Sequence, residues 1–325
     1  MEIFFEPHAS LVDSSAIALG FFDGVHPGHQ VVIKKAVDEA RRLGVKAGVV
    51  TFRDHPRGLI QGKPPLLLTV IEQRLELFAA LGVDVALVLT FSEELCRLSP
   101  QEYVEKMLVE TMGAKSISVG HNHHFGRDRE GDAELLTRFG EKRDFVVHAA
   151  PMVYVNGHEV SSSRIRKAVN AKDIELANEL LSRPYCLRGE VVHGAERGRK
   201  LGFPTANILP AFNQLVPPVG VYAGRVKLDQ SADHGAASGK CVPAVINIGY
   251  RPTFNNPLET AVTIEAHLLD FHGDLYDRML EVQFLKFLRD EQKFDGLPAL
   301  TAQIELDCLT ARTFLLEKAE RQEVL

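Results

Sequence analysis

Two histidines stand three positions apart in a glycine-rich segment near the start of the chain. The segment reads GFFDGVHPGHQ from residue 20, after a short apolar run and before a stretch with helical spacing. Backbone N–H groups at a helix N-terminus attract phosphate, imidazoles add hydrogen-bond donors, and glycines let a ligand approach closely. Because ligands of open α/β sheets bind in the loops that follow strands, the segment predicts a nucleotide phosphate site. A chance polar loop is the alternative interpretation of so short a motif.

A run of hydroxyl and basic residues occupies residues 161–166, with the sequence SSSRIR. Its hydroxyls can cap the start of a helix, and Arg166 can bind a phosphate. An ordinary helix N-cap would look the same. Taken with the two earlier histidines, however, the run predicts the second half of a nucleotidylyl-transfer site.

Glycines and basic residues recur in a third segment, HGAERGRKLGFPTAN from residue 193. No Walker A sequence, GxxxxGK[ST], occurs in it, yet backbone N–H groups and arginines could wrap a phosphate. A glycine-rich surface turn is the alternative. The candidate residues are Gly194, Arg197, Gly198, Arg199, Gly202, Thr205 and Asn207.

Glu265 lies in a segment where apolar and polar residues alternate. Ile264 and Ala266 belong to the apolar series, and Glu265 shares the polar series with Thr263 and His267. This period of two predicts a half-buried antiparallel strand with Glu265 on its polar face. A carboxylate there can accept a proton, although an exposed strand glutamate without a role would show the same pattern.

The elements that must position these residues differ between the two halves of the chain. In the first half, predicted strands at 16–19, 47–52, 83–89 and 116–119 alternate with predicted helices at 31–43, 72–81 and 100–112. Such alternation is typical of a parallel sheet covered by helices. The first half is therefore predicted to be α/β.

After residue 184 the pattern changes to strands separated by Gly and Pro. Predicted strands at 219–228, 242–248, 262–268 and 281–287 indicate a small antiparallel barrel or sandwich. Apolar residues at helical spacing from residue 300 to 315 predict one terminal helix packed on it. The length of 325 residues also favours two domains over one, with the boundary expected between residues 184 and 185.

Composition limits the partners that the protein can have. Lys and Arg number 37 against 43 Asp and Glu, a net charge of −6, so the global basic field expected of a nucleic-acid binder is missing. No apolar run reaches the roughly 18 residues of a membrane span, and the first residues lack a basic signal-peptide region. We expect a cytoplasmic protein without nucleic-acid or membrane partners. Its four cysteines form no CxxC pair, which fits reduced thiols.

The first half resembles the FAD synthetase (FMN adenylyltransferase) module of bacterial bifunctional riboflavin kinase/FAD synthetases. The matching segments are GFFDGVHPGHQ, VTFRDHP, VGHNHHFG and VSSSRIR, in the family's order and spacing. The resemblance implies a Rossmann-like nucleotidyltransferase domain at residues 1–184. It places ATP phosphates at His26, Gly28 and His29, the flavin near Asn122, and Ser162, Ser163 and Arg166 over the triphosphate. The remaining first-loop residues that it assigns to the nucleotide site are Gly20, Phe21, Asp23 and Gly24.

Three positions depart from the family pattern. Asp54 stands where proline is common, His123 where phenylalanine is common, and Ser163 where threonine is common. An imidazole can still stack on a flavin, so His123 affects the expected affinity more than the activity. His121, His123 and His124 also suggest a metal site, but they lack a spaced carboxylate or cysteine partner.

The second half resembles riboflavin kinase through HGAERGRKLGFPTAN and further segments up to FLRDEQKF at 287–294. The resemblance implies a riboflavin kinase domain at 185–325. Thr205 and Asn207 would bind ATP and Mg²⁺, whose preference for oxygen ligands they suit. Glu265 would be the catalytic base, and Arg289, Glu291 and Phe294 would border the flavin. We therefore expect a bifunctional enzyme that uses ATP to convert riboflavin to FMN and FMN to FAD.

Two other functions deserve comparison with this one. A class I aminoacyl-tRNA synthetase shares HxGH, but the lysines of its KMSKS motif are missing here and the net charge is −6. A regulatory flavin or nucleotide binder that has lost one or both activities is suggested by His123 and Asp54. The intact His26, His29 and Glu265 argue against it.

Overall fold

The computed structural model describes residues 1–55, 62, 64–194, 198, 201–228, 241–253 and 256–323. Side chains are not described at 251–253, 256–261 and 319–323. Arg197 and Arg199 of the predicted phosphate loop lie outside the described residues. The chain divides into two compact units, Met1–Ser162 and Ser163–Leu325.

The first unit is built on a six-stranded parallel sheet with strand order β1-β4-β3-β2-β5-β6. The strands are β1 Glu2–Phe4, β2 Ser15–Leu19, β3 Lys46–Phe52, β4 Val85–Leu89, β5 Ala114–Gly120 and β6 Val146–Ala150. A two-stranded hairpin, β7 Tyr154–Val155 and β8 His158–Glu159, follows. The helices are α1 Pro27–Leu43, α2 Ile71–Ala80, α3 Glu93–Arg97, α4 Pro100–Tyr103 and α5 Ala133–Arg143.

Helices cover both faces of this sheet, as expected of an α/β fold. Ala16 and Ala18 of β2 face one apolar cluster that contains α1 and α2. Ile17 and Leu19, which alternate with them, face the opposite cluster. The central strands β2 and β4 are therefore buried along their whole length.

The predicted helix at 100–112 is present but is not a uniform α-helix. After α4 the chain continues as a π-helical segment, Val104–Thr111. The Thr111 hydroxyl donates to the Lys106 carbonyl, five residues earlier, at 2.7 Å. This side-chain bond follows the same i to i+5 spacing as a π-helix, which residue periodicity alone does not distinguish from an α-helix.

The second unit contains a closed antiparallel barrel with strand order β10-β13-β12-β11-β14-β9. Its strands are β9 Tyr185–Val192, β10 Ala206–Pro210, β11 Gly220–Leu228, β12 Cys241–Thr253, β13 Asn256–Leu268 and β14 Met279–Arg289. The helices are α6 Ser162–Asn170, α7 Ile174–Leu181 and α8 Leu297–Glu323. The predicted barrel and terminal helix are both confirmed: Cys308 and Ala311 of α8 pack on Val221, Ala223 and Val245.

The two helices before residue 184 group with the barrel. The Asn178 side chain of α7 donates to the Phe284 carbonyl of β14 at 2.9 Å and accepts from the Tyr185 N–H at 2.6 Å. These contacts attach α7 to the barrel, so the boundary between the two compact units falls after residue 162. The domain boundary after residue 184 stays a prediction.

Among the described residues, no helix has the length and apolar composition needed to cross a bilayer.

Candidate functional sites

The first predicted phosphate loop follows β2, at the point where the strand order reverses. From β2 the chain continues to β3 and β4 on one side, and later returns to β5 on the other side. Ligands of open α/β sheets bind at such switch points, beyond the carboxyl ends of the strands. His26 is the N-cap of α1 and Pro27 its first residue, so Gly28 and His29 form the first turn. This turn carries amide groups that precede the first intrahelical hydrogen bond.

The backbone of this loop is strained. Phe22, Gly24 and Val25 have φ angles of 55°, 85° and 40°. A positive φ is rare for any residue other than glycine and is a marked outlier for the β-branched Val25. Such strain persists only where the surroundings enforce it, and it clusters at functional sites.

The Asp23 carboxylate is one group that enforces the loop conformation. It is 2% exposed and accepts hydrogen bonds from the N–H groups of Leu68 and Thr69 at 3.0 Å each. The Thr69 hydroxyl donates to the same carboxylate at 3.1 Å and accepts from the Gly24 N–H at 2.8 Å. Asp23 therefore shapes the loop, and its carboxylate faces the segment before α2.

The rings of His26 and His29 are stacked, with centroids 3.6 Å apart. The ring of Phe22 meets His29 edge-on at 5.4 Å. A Cβ at Gly28 would lie 3.1 Å from the His26 ring, so glycine leaves room for the imidazole there. The two predicted phosphate-binding histidines are thus brought together at the start of α1.

The predicted second half of this site begins next to the first. The Ser162 hydroxyl donates to the Asp23 carbonyl at 2.9 Å. Ser163 and Arg166 follow on α6, exposed and half-buried respectively. Within the 161–166 run, Ser162 therefore contacts the loop at residue 23.

Asn122 lies exposed in the loop after β5, where its carboxamide is near Gly120. The neighbouring His123 ring stacks on Phe125 at 6.0 Å, and Phe125 lies 5.8 Å from the Tyr103 ring. Burial lowers the pKa of His123 to about 4, with smaller contributions from His124 and Arg129. The lowered pKa keeps the His123 imidazole neutral near pH 7, within a row of aromatic rings.

Sequence reasoning missed Arg74 on α2. This arginine has no exposed surface, and its guanidinium donates to the carbonyls of Phe21 and Phe52 at 3.0 and 2.8 Å. The Phe21 ring lies against it, 4.6 Å from Cζ, and meets His55 edge-on. No pattern in the sequence distinguishes Arg74 from an exposed arginine of the predicted helix at 72–81. Gly20 in turn leaves room for the Phe22 ring, which a Cβ would approach to 2.7 Å.

The second candidate site lies in the other unit, where the loop between β9 and β10 folds back on itself. A Cβ at Gly194 would lie 2.2 Å from Asn207 Nδ2, so the amide of Asn207 occupies that space. The Gly198 carbonyl accepts from the Phe203 N–H at 2.9 Å, and a Cβ at Gly198 would lie 3.5 Å from Thr205 Oγ1. Gly202 has a φ of 88°, which glycine adopts without strain.

Glu265 lies between two asparagines on the outer face of the barrel. Its Cα pairs with Asn207 of β10 on one side and with Asn247 of β12 on the other. Ile264 and Ala266 point into the barrel and are almost fully buried. The predicted polar face is therefore correct, although Val262, which the same alternation placed on the apolar face, is 43% exposed.

The predicted flavin segment, residues 289–294, borders the row that Asn207, Glu265 and Asn247 form on neighbouring strands. A Cβ at Gly249 would lie 2.7 Å from Glu291 Oε1, so the Glu291 carboxylate lies against the strand two residues from Asn247. Arg289 forms a bidentate pair with the buried Asp307 of α8, at 2.9 and 2.7 Å. Its Cζ is 5.9 Å from the Phe294 ring. Arg289 thus positions this segment through α8, and its charge is matched by Asp307.

Three further features of this site were not singled out from the sequence. Asn247 pairs with Glu265, and Gly249 lies against the Glu291 carboxylate. His193 stacks on Tyr276 at 4.0 Å, next to Gly194. Residues 193 and 276 are 83 positions apart, so only the barrel brings them into contact.

Comparisons with known proteins give a match for each half of the chain. The FAD synthetase family model matches residues 9–164, and the riboflavin kinase family model matches residues 181–315. The chain is 39% identical over 303 residues to the bifunctional riboflavin kinase/FMN adenylyltransferase of Pseudomonas fluorescens, covering 93% of this chain and 94% of that protein. Proteins with the same description in Listeria monocytogenes and Escherichia coli K12 are 37% and 36% identical, each over 93% of this chain and over 92% and 93% of their own lengths.

A solved structure described as a macrolide-efflux protein from Streptococcus pneumoniae is similar over almost the whole chain. Its TM-score is 0.83 at 29% identity, and the match covers 96% of this chain and 99% of that one. Two family-model matches, one in each half of the chain, accompany the 39% identity over 93% of its length. The chain belongs to the bifunctional riboflavin kinase/FMN adenylyltransferase family.

Proposed function

We propose that this chain carries out two successive reactions at two separate sites. Riboflavin and ATP give FMN and ADP at the barrel, and FMN and ATP give FAD and pyrophosphate at the first unit. The observation that carries the proposal is the geometry of both motifs: His26 stacked on His29 at the start of α1, and Glu265 paired with Asn207. The substrates are small molecules, and we place the enzyme in the cytoplasm.

In the kinase reaction, Glu265 acts as the base. The 5′-hydroxyl of riboflavin is neutral and a weak nucleophile, so it benefits from a carboxylate that accepts its proton as it attacks the γ-phosphorus. A bond forms between the 5′-oxygen and that phosphorus, the bond to the β,γ-bridging oxygen breaks, and ADP leaves. Glu265 is half-buried, next to Asn207 in the adjacent strand, which puts the proton acceptor beside the predicted phosphate site.

The donors at the kinase site fit a divalent cation bound with ATP. Thr205 and Asn207 offer hydroxyl and amide oxygens, which suit a hard cation, and both side chains gather at the glycines of the loop. We propose that they hold Mg²⁺, which when bound would neutralise phosphate charge. The chain itself orients these oxygens, because Asn207 is fixed between Gly194 and the Glu265 strand.

Adenylyl transfer at the first unit needs no base. The FMN phosphate is already anionic, so its oxygen attacks the α-phosphorus of ATP while pyrophosphate leaves. His26, His29 and the amide groups of the first turn of α1 would stabilise the charge that moves onto the leaving group. We propose that Ser162, Ser163 and Arg166 contact the triphosphate, and that Gly20, Phe21, Asp23, Gly24 and Gly28 form its loop.

The flavin sites are proposed at Asn122 in the first unit and at residues 289–294 in the second. Asn122 lies beside the aromatic row of His123 and Phe125, which could border an isoalloxazine ring. In the second unit, Glu291 and Phe294 lie beside Asn247 and Arg289, and they would border riboflavin. Gly194, Arg197, Gly198, Arg199 and Gly202 are proposed to wrap the kinase ATP phosphates.

The test is to incubate the purified protein with riboflavin, ATP and Mg²⁺ and to separate FMN and FAD by chromatography. Absence of any flavin product would exclude the proposed enzyme and favour the regulatory binder. Glu265→Ala should abolish FMN formation and leave the conversion of FMN to FAD, whereas His29→Ala should do the reverse.

Matched variants control for general damage. Glu190→Ala removes an exposed glutamate from barrel strand β9, and His8→Ala removes an exposed histidine from the first unit. Both controls should keep both activities. Loss of both steps in either Glu265→Ala or His29→Ala would contradict two separate sites.

A further inference from the structure

Arg74 binds the carboxyl ends of two neighbouring strands through three backbone carbonyls. Nη1 donates to the carbonyls of Phe21 and Phe52 at 3.0 and 2.8 Å, and Nη2 donates to that of Arg53 at 2.7 Å. Phe21 follows β2, and Phe52 ends β3. The guanidinium therefore links the adenylyl-transfer loop, which follows β2, to the end of β3. Both lie at the carboxyl ends of the strands, where the phosphates are proposed to bind.

The residues that lead into α2 form a second set of hydrogen bonds with the adenylyl-transfer loop. Leu68 and Thr69, which lie immediately before α2, donate their N–H groups to the Asp23 carboxylate at 3.0 Å each. The Phe21 carbonyl also accepts from the Thr51 hydroxyl of β3 at 3.0 Å. Residues 21 and 23 lie two and four positions after the end of β2. They are thus held by hydrogen bonds from α2, from the residues before it and from β3.

Among the described residues, no carboxylate accepts a hydrogen bond from the guanidinium of Arg74. Within the described part of the chain, its hydrogen-bond acceptors are all neutral carbonyl oxygens. Burial lowers the pKa of Arg74 to about 10, and the more distant charges of Asp23, Asp54 and Glu72 oppose this shift. The guanidinium therefore stays protonated near neutral pH, and a buried positive charge remains beneath the loop.

We propose that Arg74 is a positioning residue for adenylyl transfer, a role that rests on the proposed function of the first unit. It fixes the Phe21 carbonyl, and through it the strained backbone of residues 22–25 that leads to His26. It also supplies a buried positive charge at the edge of the sheet that receives the anionic triphosphate. A planar guanidinium can bind three carbonyls at once, which the single ammonium of lysine cannot do in the same geometry.

The proposal is tested with Arg74→Lys and Arg74→Met, with both steps measured in the same full-length protein. Arg74→Met removes the charge and the three hydrogen bonds. Displacement of the loop should lower kcat/KM for FAD formation roughly 100-fold, with a raised KM for ATP. Arg74→Lys keeps the charge, so we expect a KM for ATP near that of the wild type and a kcat reduced roughly tenfold. Riboflavin phosphorylation in the other unit should not change.

Glu39→Gln is the matched control, because Glu39 is another buried charged residue of the first unit, in α1, and 6% exposed. Glu39→Gln should lower thermal stability but leave the KM for ATP unchanged, because a smaller amount of folded protein does not change KM. If the methionine variant does not fold, as judged by circular dichroism, the lysine variant decides.

The proposal is overturned if Arg74→Lys has the kcat and KM of the wild type per mole of folded protein. It is also overturned if Glu39→Gln raises the KM for ATP as much as Arg74→Met does. A wild-type protein that makes no FAD would instead contradict the proposed function itself.

Discussion

At the scale of residues, both candidate sites depend on glycines, whose lack of a Cβ leaves room for a neighbouring side chain. Gly28 leaves room for the His26 ring, Gly194 for the Asn207 amide, and Gly249 for the Glu291 carboxylate. In each case a polar group that is proposed to act on a substrate lies where a Cβ would otherwise be. Steric space, as well as backbone freedom, therefore explains why glycine stands in these motifs.

Gly194→Ala tests this explanation. A Cβ 2.2 Å from Asn207 Nδ2 cannot be accommodated, so the amide must move away from its place beside Glu265. We expect kcat/KM for riboflavin phosphorylation to fall roughly 10- to 100-fold, since small displacements of positioning groups have effects of this size. FAD formation from added FMN should be unchanged. Asn207→Ala should show a similar loss, and normal kinase activity in Gly194→Ala would contradict the explanation.

At the scale of elements, the first turn of α1 fits the anion site proposed for it. Its first turn contains no acidic residue, whereas α2, α3, α4 and α5 each have one or two. Acidic residues near a helix N-terminus satisfy its dipole, so their absence leaves the positive end of α1 for a ligand. The acidic residue of α1 that is buried, Glu39, lies instead near the opposite end, where Lys35 and Arg42 donate to it at 2.8 and 2.7 Å.

The carboxyl of Glu39 predicts a pH dependence for the stability of α1. Its hydrogen bond from Lys35, and then that from Arg42, lower its pKa from 4.5 to about 2, against the effect of burial. A lowered pKa means that the unfolded chain binds the proton first, so the stabilisation is complete above about pH 4.5 and is lost toward pH 2. Glu39→Gln should therefore be less stable than the wild type at pH 7, and the difference should shrink as the pH falls below 4.5.

Urea unfolding followed by circular dichroism between pH 7 and pH 3.5 measures this difference. Lys46 and Glu2 form a more exposed pair at 3.5 Å, so Glu2→Gln is a suitable control with little expected effect. A difference between Glu39→Gln and the wild type that stays constant down to pH 3.5 would show that the ion pairs do not stabilise the folded state.

At the scale of the whole molecule, each unit has its own core and its own candidate site. Two apolar clusters lie on the two faces of the parallel sheet, and a separate cluster joins α8 to the barrel. The FAD synthetase and riboflavin kinase models match these two parts of the chain in turn. A net charge of −6 leaves the binding of anionic substrates to local groups, such as the start of α1 and the loop before β10.

Removal of divalent metal should stop both reactions. Each moves a phosphoryl or adenylyl group from ATP, whose charge a cation must neutralise. Excess EDTA should abolish FMN and FAD formation, and added Mg²⁺ should restore both, while circular dichroism stays unchanged. Continued formation of either product in EDTA would contradict the proposed cation requirement of that site.

Much of the fold followed from local patterns. The predicted strands at 16–19, 47–52 and 116–119 lie within β2, β3 and β5, because buried parallel strands are short apolar runs between turns. The edge strand β1 and the hairpin β7–β8 were missed. They contain two or three residues each, too few to show a period. The exposed β6 was missed because only one of its five residues is buried.

What the sequence by itself determined is the set of motifs, the two fold classes and the pairing of functions, since each depends on residues close together in the chain. Tertiary structure alone decided which distant groups meet. Arg74 reaches the carbonyl of Phe21, 53 residues earlier, and Ser162 reaches that of Asp23, 139 residues earlier. Glu265 meets Asn207 and Asn247 because β13 lies between β10 and β12 in the barrel. Strand order and register fix such contacts, and neither is written in the spacing of nearby residues.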